Sequence, residues 1–394
     1  MFLQNISPLE RLDLSTPSTR LKRSLDTIEA LDRALQFPSR SFRSIHIAGS
    51  QGKGSVAAMI AKGLEASGWR VGLYTSPHLF SFCERMQING ISICQEELEE
   101  YLIHIYAIAE DLHIQPTFFE FLTCAAFLFF QKREIDIAVV ETGLGGRWDA
   151  TNILYPILSV ITSISLEHCQ ILGHDLNTIA GEKAGIFKQH VPAVIGPHAH
   201  FPSVLARVRD LGIALHRVNT NAASFVDENR AIASACLKHL PFAVSQEAIS
   251  AGLEYRLPCR CECLGNAVLD VAHNPYMIER FIQAVRLQFP GRKLRIAFGC
   301  LQDKEHSSCL ELLLSVAEHI HLIQAKCPRA TPLTQLARAL DSRGYHRYSI
   351  HDSIANAMEQ GYRTARSQGE LFVVTGSTYI MAEARETLLL FDER

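Results

Sequence analysis

What the sequence lacks excludes several classes of protein. With a formal net charge of −3, the chain has no overall positive field that would draw it to nucleic acid or to an anionic membrane surface. It opens without a basic stretch followed by an apolar one, so we expect no secretory signal. Its most apolar run, residues 118–130, contains Glu120 and is too short to span a bilayer, which predicts a buried helix there. We therefore expect a cytoplasmic protein that binds neither nucleic acid nor membrane.

The sequence also lacks a CxxC pair, although it contains 11 cysteines. Together with the absence of a secretory signal, this predicts reduced thiols rather than a disulfide framework. Cys259, Cys261 and Cys263 alternate, and on a β-strand this spacing would place all three on one face. Zinc ligands are usually spaced more widely. The alternation therefore favours packing over metal binding.

The order of apolar patterns predicts an α/β fold in two domains. No sequence repeat, low-complexity tract or long linker interrupts the 394 residues. Short β-branched runs typical of strands alternate with longer helical patterns, which is typical of a mostly parallel sheet covered by helices. The predicted strands include residues 45–48, 71–75, 135–140, 158–164, 193–195, 267–271, 294–298, 320–324 and 371–375. Because the alternation restarts near Pro258, we predict domains at residues 1–257 and 258–394.

A glycine-rich turn at residues 49–55 predicts a phosphate site. It lies between a predicted strand and a helix, where backbone N–H groups and the helix N-terminus favour an anion. Lys53 would reach the outer phosphates of a nucleotide, and the Ser55 hydroxyl would hold Mg²⁺. The predicted nucleotide contacts in this turn are Gly49, Gln51, Gly52, Lys53, Gly54 and Ser55. The alternative is an ordinary glycine turn with a surface lysine.

A carboxylate is predicted beside this turn. Phosphoryl transfer requires a carboxylate that holds the metal, usually at the end of a neighbouring strand. Glu141 directly follows the apolar run 135–140, and the glycines after it allow the backbone to approach a ligand. We predict Glu141 as a metal ligand, the alternative being a solvated glutamate that opens a turn. These features alone fit kinases, transport ATPases and GTPases equally well.

Further motifs make the chain resemble one family. The blocks are residues 46–55, 75–79, 84–85, 119–121, 141–152, 167–168, 182–187 and 270–275. In this order they resemble the folylpolyglutamate synthase/dihydrofolate synthase family of the Mur ligase superfamily. The resemblance implies an N-terminal P-loop ATPase domain and a smaller Rossmann-like C-terminal domain, with ATP bound between them. It also implies that ATP phosphorylates the carboxylate of dihydropteroate or a folate, after which the amine of L-glutamate attacks the acyl phosphate.

Matching motif positions imply roles in the first domain. Ser55 and Glu141 would bind the first of two Mg²⁺ ions, and His168 would bind the second. Lys183 matches a lysine that the family carbamylates, a reaction that needs the neutral amine favoured by burial. Phe119 lies in a block expected to shape the pterin site. The alternatives are a surface lysine for Lys183 and a satisfied, partly buried histidine for His168.

The resemblance implies further roles toward the C-terminus. Asp270 would hold the ammonium of glutamate or take its proton, and His273 would bind a carboxylate, unless the two only cap a helix. Ser377 matches a glutamate-site serine, and Asn229 and Arg260 match adenine and phosphate contacts. The expected catalytic group is Lys53, Lys183, His168, Asp270 and His273.

Two departures and two alternatives accompany this expectation. Glu167 stands where the family usually has aspartate, and Cys259 stands where it usually has glycine, which leaves the position of Arg260 open.

The chain could instead be a Mur-type peptidoglycan ligase, or a P-loop ATPase or kinase without ligase activity. We expect a monomer whose partners are small molecules, and we favour an enzyme with both folate activities.

Overall fold

A computed structural model describes residues 7–13 and 22–392, and the chain divides into two compact units. The first unit comprises Met1–Asn221 and Glu228–Tyr255, and the second comprises Ala222–Asp227 and Arg256–Arg394. Among the described residues, no helix is long and apolar enough to cross a membrane. Each unit contains its own sheet, and both sheets are mostly parallel, which confirms the predicted α/β class.

The first unit has an eight-stranded sheet within the described ranges. Its strands are β1 (Arg43–Ala48), β2 (Val71–Tyr74), β3 (Met86–Ile88), β4 (Ile91–Ser92), β5 (Ile137–Glu141), β6 (Leu158–Ile161), β7 (Ala193–Ile195) and β8 (Leu215–Arg217). Their order is β4-β3-β2-β5-β1-β6-β7-β8, with β3 antiparallel to both of its neighbours and the other pairs parallel.

Helices cover this sheet. They are α1 (Pro8–Asp13), α2 (Asp26–Ala34), α3 (Lys53–Ala66), α4 (Gln95–Asp111), α5 (Phe118–Lys132), α6 (Cys169–Leu172), α7 (Leu176–Lys183), α8 (Pro202–Leu211), α9 (Phe225–Lys238) and α10 (Gln246–Glu254). The apolar run at 118–130 forms most of α5, which is buried along most of its length, as predicted. Thr117 and Glu120 form a capping box at its start, so the lone acidic residue of the run stabilises the helix N-terminus.

The register of three neighbouring strands places the candidate site at one edge of the sheet. Ile47 of β1 pairs with Glu141, the last residue of β5, and Ala48 pairs with Ile161, the last residue of β6. Because these strands are parallel, the loops that follow them leave the sheet at the same edge. The phosphate loop, Glu141 and the segment after β6 therefore meet there.

The second unit is a smaller α/β domain. Its strands and helices are β9 (Glu262–Leu264), β10 (Ala267–Asp270), α11 (Pro275–Gln288), β11 (Leu294–Phe298), α12 (His306–Leu314), β12 (Ala317–Leu322), α13 (Leu333–Asp341), β13 (Tyr348–Ile350), α14 (Ile354–Ser367), β14 (Leu371–Thr375) and α15 (Thr378–Asp392). The strand order is β13-β12-β11-β14-β10-β9, and only β9 is antiparallel within this sheet as described. Its parallel strands also end at a common edge.

The three alternating cysteines do not share one face of a strand. Strand β9 begins only at Glu262, and Cys259 and Cys261 adopt left-handed backbone angles of φ 55° and φ 50°. These two side chains are buried, whereas Cys263 is exposed. The period-two spacing does not represent a strand because a tight turn occupies residues 259–261.

Candidate active site

The phosphate loop, residues 49–55, is fixed to the segment that follows β6. The Ser50 N–H donates to the Ser163 carbonyl oxygen at 2.8 Å, and the Gln51 N–H donates to the Ser163 hydroxyl at 3.0 Å. The Gln51 side-chain Nε2 is buried and has no hydrogen-bond partner within the described residues. A buried polar nitrogen of this kind normally has a partner, so the loop presents a donor suited to a bound ligand.

Two glycines of the loop are required by close contacts. A Cβ on Gly49 would lie 1.9 Å from the Thr162 hydroxyl. Gly52 has φ +79°, and a Cβ there would lie 2.2 Å from the side-chain oxygen of Asn229. Asn229 of α9 is buried, so the structure brings this predicted nucleotide contact against the loop. The segment after β6 and helix α9 thus both pack against the loop.

Two lysines converge on one carbonyl oxygen of the loop. Lys53 Nζ donates to the Gly49 carbonyl at 3.0 Å, and Lys183 Nζ donates to the same oxygen at 2.9 Å. Lys53 Nζ also lies 3.9 Å from Glu141 Oε1. Ser55 is half-buried in the first turn of α3, two residues after Lys53. Two ammonium groups therefore meet at this edge of the sheet, each beside a carboxylate.

Lys183 is almost completely enclosed. Its side chain is 1% exposed, and its Nζ lies 2.6 Å from Glu167 Oε1. Burial lowers the pKa of Lys183, Lys53 lowers it further, and the Glu167 carboxylate opposes both effects. For Glu167 burial raises the pKa, but Lys183 and Lys53 outweigh it and the pKa is lowered. The surface lysine considered as an alternative for position 183 is therefore wrong.

The glycines after β5 let two other parts of the site approach each other. A Cβ on Gly143 would lie 2.6 Å from the Phe119 ring, so this aromatic side chain packs directly on the glycine. A Cβ on Gly146 would lie 2.8 Å from the Lys183 carbonyl oxygen. The Arg147 N–H donates to the Glu182 carbonyl at 2.8 Å. This segment therefore links α5 to the end of α7.

The side chains present fit a divalent cation held jointly with a nucleotide. Within residues 7–13 and 22–392, no group of three His, Cys, Asp or Glu side chains could hold a metal by itself. Glu141 is a buried carboxylate whose Oε2 accepts from the Ser76 N–H at 3.0 Å. His168 is exposed at the start of α6, with φ 46°. Mg²⁺ is usually bound through one or two carboxylates together with phosphate oxygens and water. The small number of protein donors at this edge of the sheet is consistent with such a site.

Ser76 was not among the predicted site residues, although it lies in the quoted block 75–79. Its backbone N–H orients Glu141, because it engages the oxygen that does not face Lys53. The sequence signal for this contact was the position of the block directly after the predicted strand 71–75. Strands β2 and β5 are neighbours, so the residues that follow them meet.

The second unit carries a cavity of about 160 Å³ at the edge where its parallel strands end. His273, Ser377 and Tyr379 line it, together with Lys304 and Arg329, which were not predicted. Helix α15 begins at Thr378, so its N-terminus also faces this region. Two cationic side chains and a helix N-terminus favour an anionic ligand. The sequence signal was that each basic residue follows the end of a strand.

One acidic side chain orients both cations. Asp303 Oδ1 lies 3.1 Å from Arg329 Nη2, and Asp303 Oδ2 lies 3.4 Å from Lys304 Nζ. Two positive charges therefore share one carboxylate, which leaves the group with a net positive charge. His273 Nδ1 donates to the Val271 carbonyl oxygen at 2.9 Å, which fixes the ring orientation.

Asp270 and Arg260 are neighbours, but Asp270 does not line the cavity. Asp270 is buried, and burial raises its pKa to about 6, with Arg260 acting in the opposite direction. Arg260 is half-buried between the two left-handed cysteines. The predicted glutamate-site residues are thus separated, since His273 and Ser377 line the cavity, whereas Asp270 lies at the turn beside Arg260, the predicted phosphate contact.

Comparisons with known proteins cover both units. The Mur ligase middle domain matches residues 47–233, and the Mur ligase glutamate ligase domain matches residues 259–378. A relative from Lacticaseibacillus casei, folylpolyglutamate synthase, is 32% identical over 92% of this chain and 94% of its own. The E. coli structure described as FolC in complex with DHPP and ADP has a TM-score of 0.84 at 26% identity, covering 99% of both chains. A bifunctional folylpolyglutamate synthase/dihydrofolate synthase with Mn, AMPPNP and L-glutamate bound has a TM-score of 0.83 at 29% identity, covering 98% of both chains.

Proposed function

This chain belongs to the dihydrofolate synthase/folylpolyglutamate synthase family of Mur ligases, and we propose that it adds L-glutamate to dihydropteroate and to folates in an ATP-dependent reaction. The named relatives are ATP-dependent ligases that add glutamate. The observation that carries the proposal for this chain is the convergence of Lys53 and Lys183 on the Gly49 carbonyl oxygen, with Glu141 beside them. This arrangement places two ammonium groups at the glycine loop where a triphosphate would bind.

The first unit would carry out phosphoryl transfer. A carboxylate is a poor electrophile because its leaving group would be oxide. Its oxygen would attack the γ-phosphorus of ATP, the bond to the β-phosphate oxygen would break, and ADP would leave. Lys53 and the loop N–H groups would neutralise the charge that spreads over the phosphate oxygens. Asn229, held against Gly52, is proposed to contact the nucleotide base.

A divalent cation fits the same edge of the sheet. Glu141 and the Ser55 hydroxyl are the side chains proposed to hold it, with nucleotide oxygens and water completing the coordination. When bound, the cation would withdraw charge from the phosphate oxygens. Hydroxyl and carboxylate oxygens suit Mg²⁺ or Mn²⁺ better than softer metals. A second cation near His168 remains part of the proposal.

Lys183 is the proposed site of carbamylation. Its enclosed amine has a lowered pKa, which raises the fraction of the neutral form that reacts with CO₂. The nitrogen lone pair would form the bond to carbon while one C–O π bond opens onto oxygen, and the two protons lost would pass in turn by way of Glu167, at 2.6 Å, to water. The product would replace a cation by an anion next to Lys53.

Carbamylation predicts a signal that depends on one side chain. In protein equilibrated with ¹³C-bicarbonate, a carbamate resonance should appear by ¹³C NMR and should be absent from the Lys183→Arg variant, since a guanidinium does not react in this way. Lys188→Arg is the matched control, because Lys188 lies nearby but is only partly buried. A spectrum without the resonance in the parent protein would remove the carbamate and leave Lys183 as an ammonium paired with Glu167.

The second unit would bind glutamate. Its cavity combines Lys304 and Arg329 with the N-terminus of α15, which suits the two carboxylates of this amino acid. Ser377 and His273 contribute polar groups to the lining of the same cavity. The glutamate amine would attack the acyl carbon, the carbon–oxygen bond to phosphate would break, and the amine would lose a proton. The products are an amide and inorganic phosphate.

Lys304→Ala should raise the KM for glutamate about tenfold, because a hydrogen bond to a charged group contributes about 1.5–3 kcal/mol. The KM for ATP should stay within about twofold, since the substitution removes binding of one substrate only. Steady-state kinetics with each substrate varied in turn measures both constants. Lys326→Ala is the control, because that side chain is 77% exposed and pairs with Glu383. Equal effects of the two substitutions would contradict a glutamate role for the cavity.

The deciding experiment supplies ATP, Mg²⁺ and labelled glutamate with dihydropteroate and, separately, with tetrahydrofolate. Mass spectrometry should show one added glutamate on dihydropteroate and an extended tail on the folate. Product from only one pterin would reduce the proposal to a single activity. No labelled product from either would remove the folate function. Relatives that match over most of the chain bear folate-ligase names, which favours this function over peptidoglycan ligation or ATP turnover without amide formation.

A further inference from the structure

His46 is a fully buried histidine on β1, in the core of the first unit. Its Nε2 lies 2.7 Å from the Thr151 hydroxyl oxygen, whereas its Nδ1 has no hydrogen-bond partner within the described residues. Burial, with a smaller contribution from Lys188, lowers the pKa of His46 to about 3, so the ring is neutral. An apolar side chain of similar size would avoid burying a bare nitrogen. The hydrogen bond to Thr151 is therefore the contact that accounts for a histidine at this position.

Asp149 continues this contact as a buried acceptor. The Thr151 hydroxyl donates to Asp149 Oδ1 at 2.5 Å, and the Thr151 N–H donates to the same oxygen at 3.1 Å. Asp149 Oδ2 accepts from the Leu144 N–H at 2.8 Å, and the Gly143 N–H also donates to this carboxylate. Burial raises the pKa of Asp149, and these hydrogen bonds oppose that effect. A side chain surrounded by donors in this way fits the site as a carboxylate.

The number of available hydrogens fixes the direction of each hydrogen bond. A hydroxyl has a single hydrogen, and the Thr151 hydroxyl gives it to Asp149. The same oxygen must therefore accept from His46, which makes Nε2 the protonated ring nitrogen and leaves Nδ1 bare. The three side chains thus form one directed chain that runs from β1 to the backbone of residues 143–144.

Residues 143–144 belong to the glycine-rich segment that follows β5. The Phe119 ring packs so closely on this segment that a Cβ on Gly143 would lie 2.6 Å from it. Phe119 is the aromatic side chain expected at the pterin site. The phosphate loop is held separately, because Ser163 after β6 binds its backbone. The chain therefore supports the surface around Phe119 rather than the nucleotide loop.

We propose that His46 is a positioning residue for the pterin substrate. Its Nε2–H, acting through the Thr151 hydroxyl, holds Asp149 in the orientation that fixes the backbone of residues 143–144 against Phe119. His46 itself touches no substrate, since its side chain is enclosed by the core. The choice of substrate rests on the proposed function, whereas the hydrogen-bond chain rests on the geometry alone.

A pair of substitutions at position 46 tests the donor. His46→Phe fills the site but has no N–H, whereas His46→Gln keeps an amide N–H at a similar reach. His46→Phe should raise the KM for dihydropteroate about five- to tenfold, as expected for loss of one buried hydrogen bond. His46→Gln should leave this constant within about twofold, and the KM for ATP should stay within about twofold in both variants.

Thr151→Val breaks the same chain at its second member. It should reproduce the effect of His46→Phe on the KM for dihydropteroate, because valine keeps the shape of threonine without the hydroxyl. In the His46→Phe background, Thr151→Val should change this constant by no more than about twofold further. If His46→Phe does not fold, Thr151→Val takes its place in the comparison.

Phe130→Leu is the control for lost stability, because Phe130 is buried near the end of α5 whereas Phe119 lies near its start. Thermal unfolding is measured for every variant. The positioning role would be overturned by equal losses in His46→Phe and His46→Gln, by a similar rise in KM in Phe130→Leu, or by losses that multiply in the double variant.

Hydrogen exchange separates this inference from the proposed function. In a peptide that contains residues 143–151, amide exchange measured by mass spectrometry should be faster in His46→Phe than in the parent protein and unchanged in His46→Gln. This comparison needs no substrate. Unchanged exchange in His46→Phe would overturn the chain, whereas faster exchange in a protein that makes no glutamylated product would overturn the folate function and leave the chain in place.

Discussion

Lys53→Ala should lower kcat/KM for ATP by about 10³-fold, which is the upper range for removing one group that stabilises developing charge. The substitution removes the Nζ that contacts the Gly49 carbonyl and lies 3.9 Å from Glu141. Without the Lys53 ammonium group, one cation fewer would offset the repulsion between the phosphate oxygens and the Glu141 carboxylate. A coupled assay that follows the release of ADP in the presence of dihydropteroate measures the loss of kcat/KM.

Lys62→Ala is the matched control for this prediction. Lys62 lies on the same helix, α3, with a side chain that is 40% exposed and paired with Glu65. The control should retain kcat/KM within about twofold, because exposed ion pairs contribute little. Near-normal turnover in the Lys53→Ala protein would show that the nucleotide does not bind at residues 49–55.

Gly52→Ala should weaken nucleotide binding about 100-fold or more, because the alanine would be strained in the backbone conformation of Gly52 and its Cβ would clash with Asn229. The left-handed conformation at φ +79° costs a residue with a Cβ about 1–2 kcal/mol. The added Cβ would also lie 2.2 Å from the Asn229 side-chain oxygen, so either the loop or α9 must move. Calorimetric titration with AMPPNP measures the affinity, and thermal unfolding measures the stability.

Gly68→Ala separates these two causes. Gly68 follows the other end of α3 and has φ +86°, but a Cβ there meets nothing within 4 Å. Its alanine variant should lose similar stability through the backbone and keep nucleotide affinity. If both variants bind AMPPNP equally well, the contact between Gly52 and Asn229 has no part in the nucleotide site.

Patterns in the sequence predicted the phosphate loop, the position of Glu141 and the buried helix at 118–130. Residues 49–55 directly follow β1 and Glu141 ends β5, and parallel strands end at a common edge, so sequence order alone indicated that they meet. The buried helix at 118–130 was predictable because an apolar run with one acidic residue near its start needs only a local cap. The helix depends on neighbours close in the chain, and the meeting of residues 49–55 with Glu141 depends only on parallel strands sharing an edge.

Contacts between distant segments could not be predicted in this way. The packing of Asn229 on Gly52 depends on how α9 lies against the loop, which no local pattern specifies. Lys304 and Arg329 come together because β11 and β12 are neighbours and Asp303 pairs with both side chains. The turn at Cys259 was missed for a different reason, since a cysteine stands where a positive φ would favour glycine.

The shared acceptor at Gly49 ties the protonation of Lys183 to the charge around the loop. Burial lowers the pKa of Lys183, Glu167 opposes that effect, and the charge of Lys53 adds to it. A substitution that removes the charge of Lys53 therefore raises the pKa of Lys183, and an anion bound beside the two lysines acts in the same direction. In both cases the neutral form of the Lys183 amine becomes scarcer.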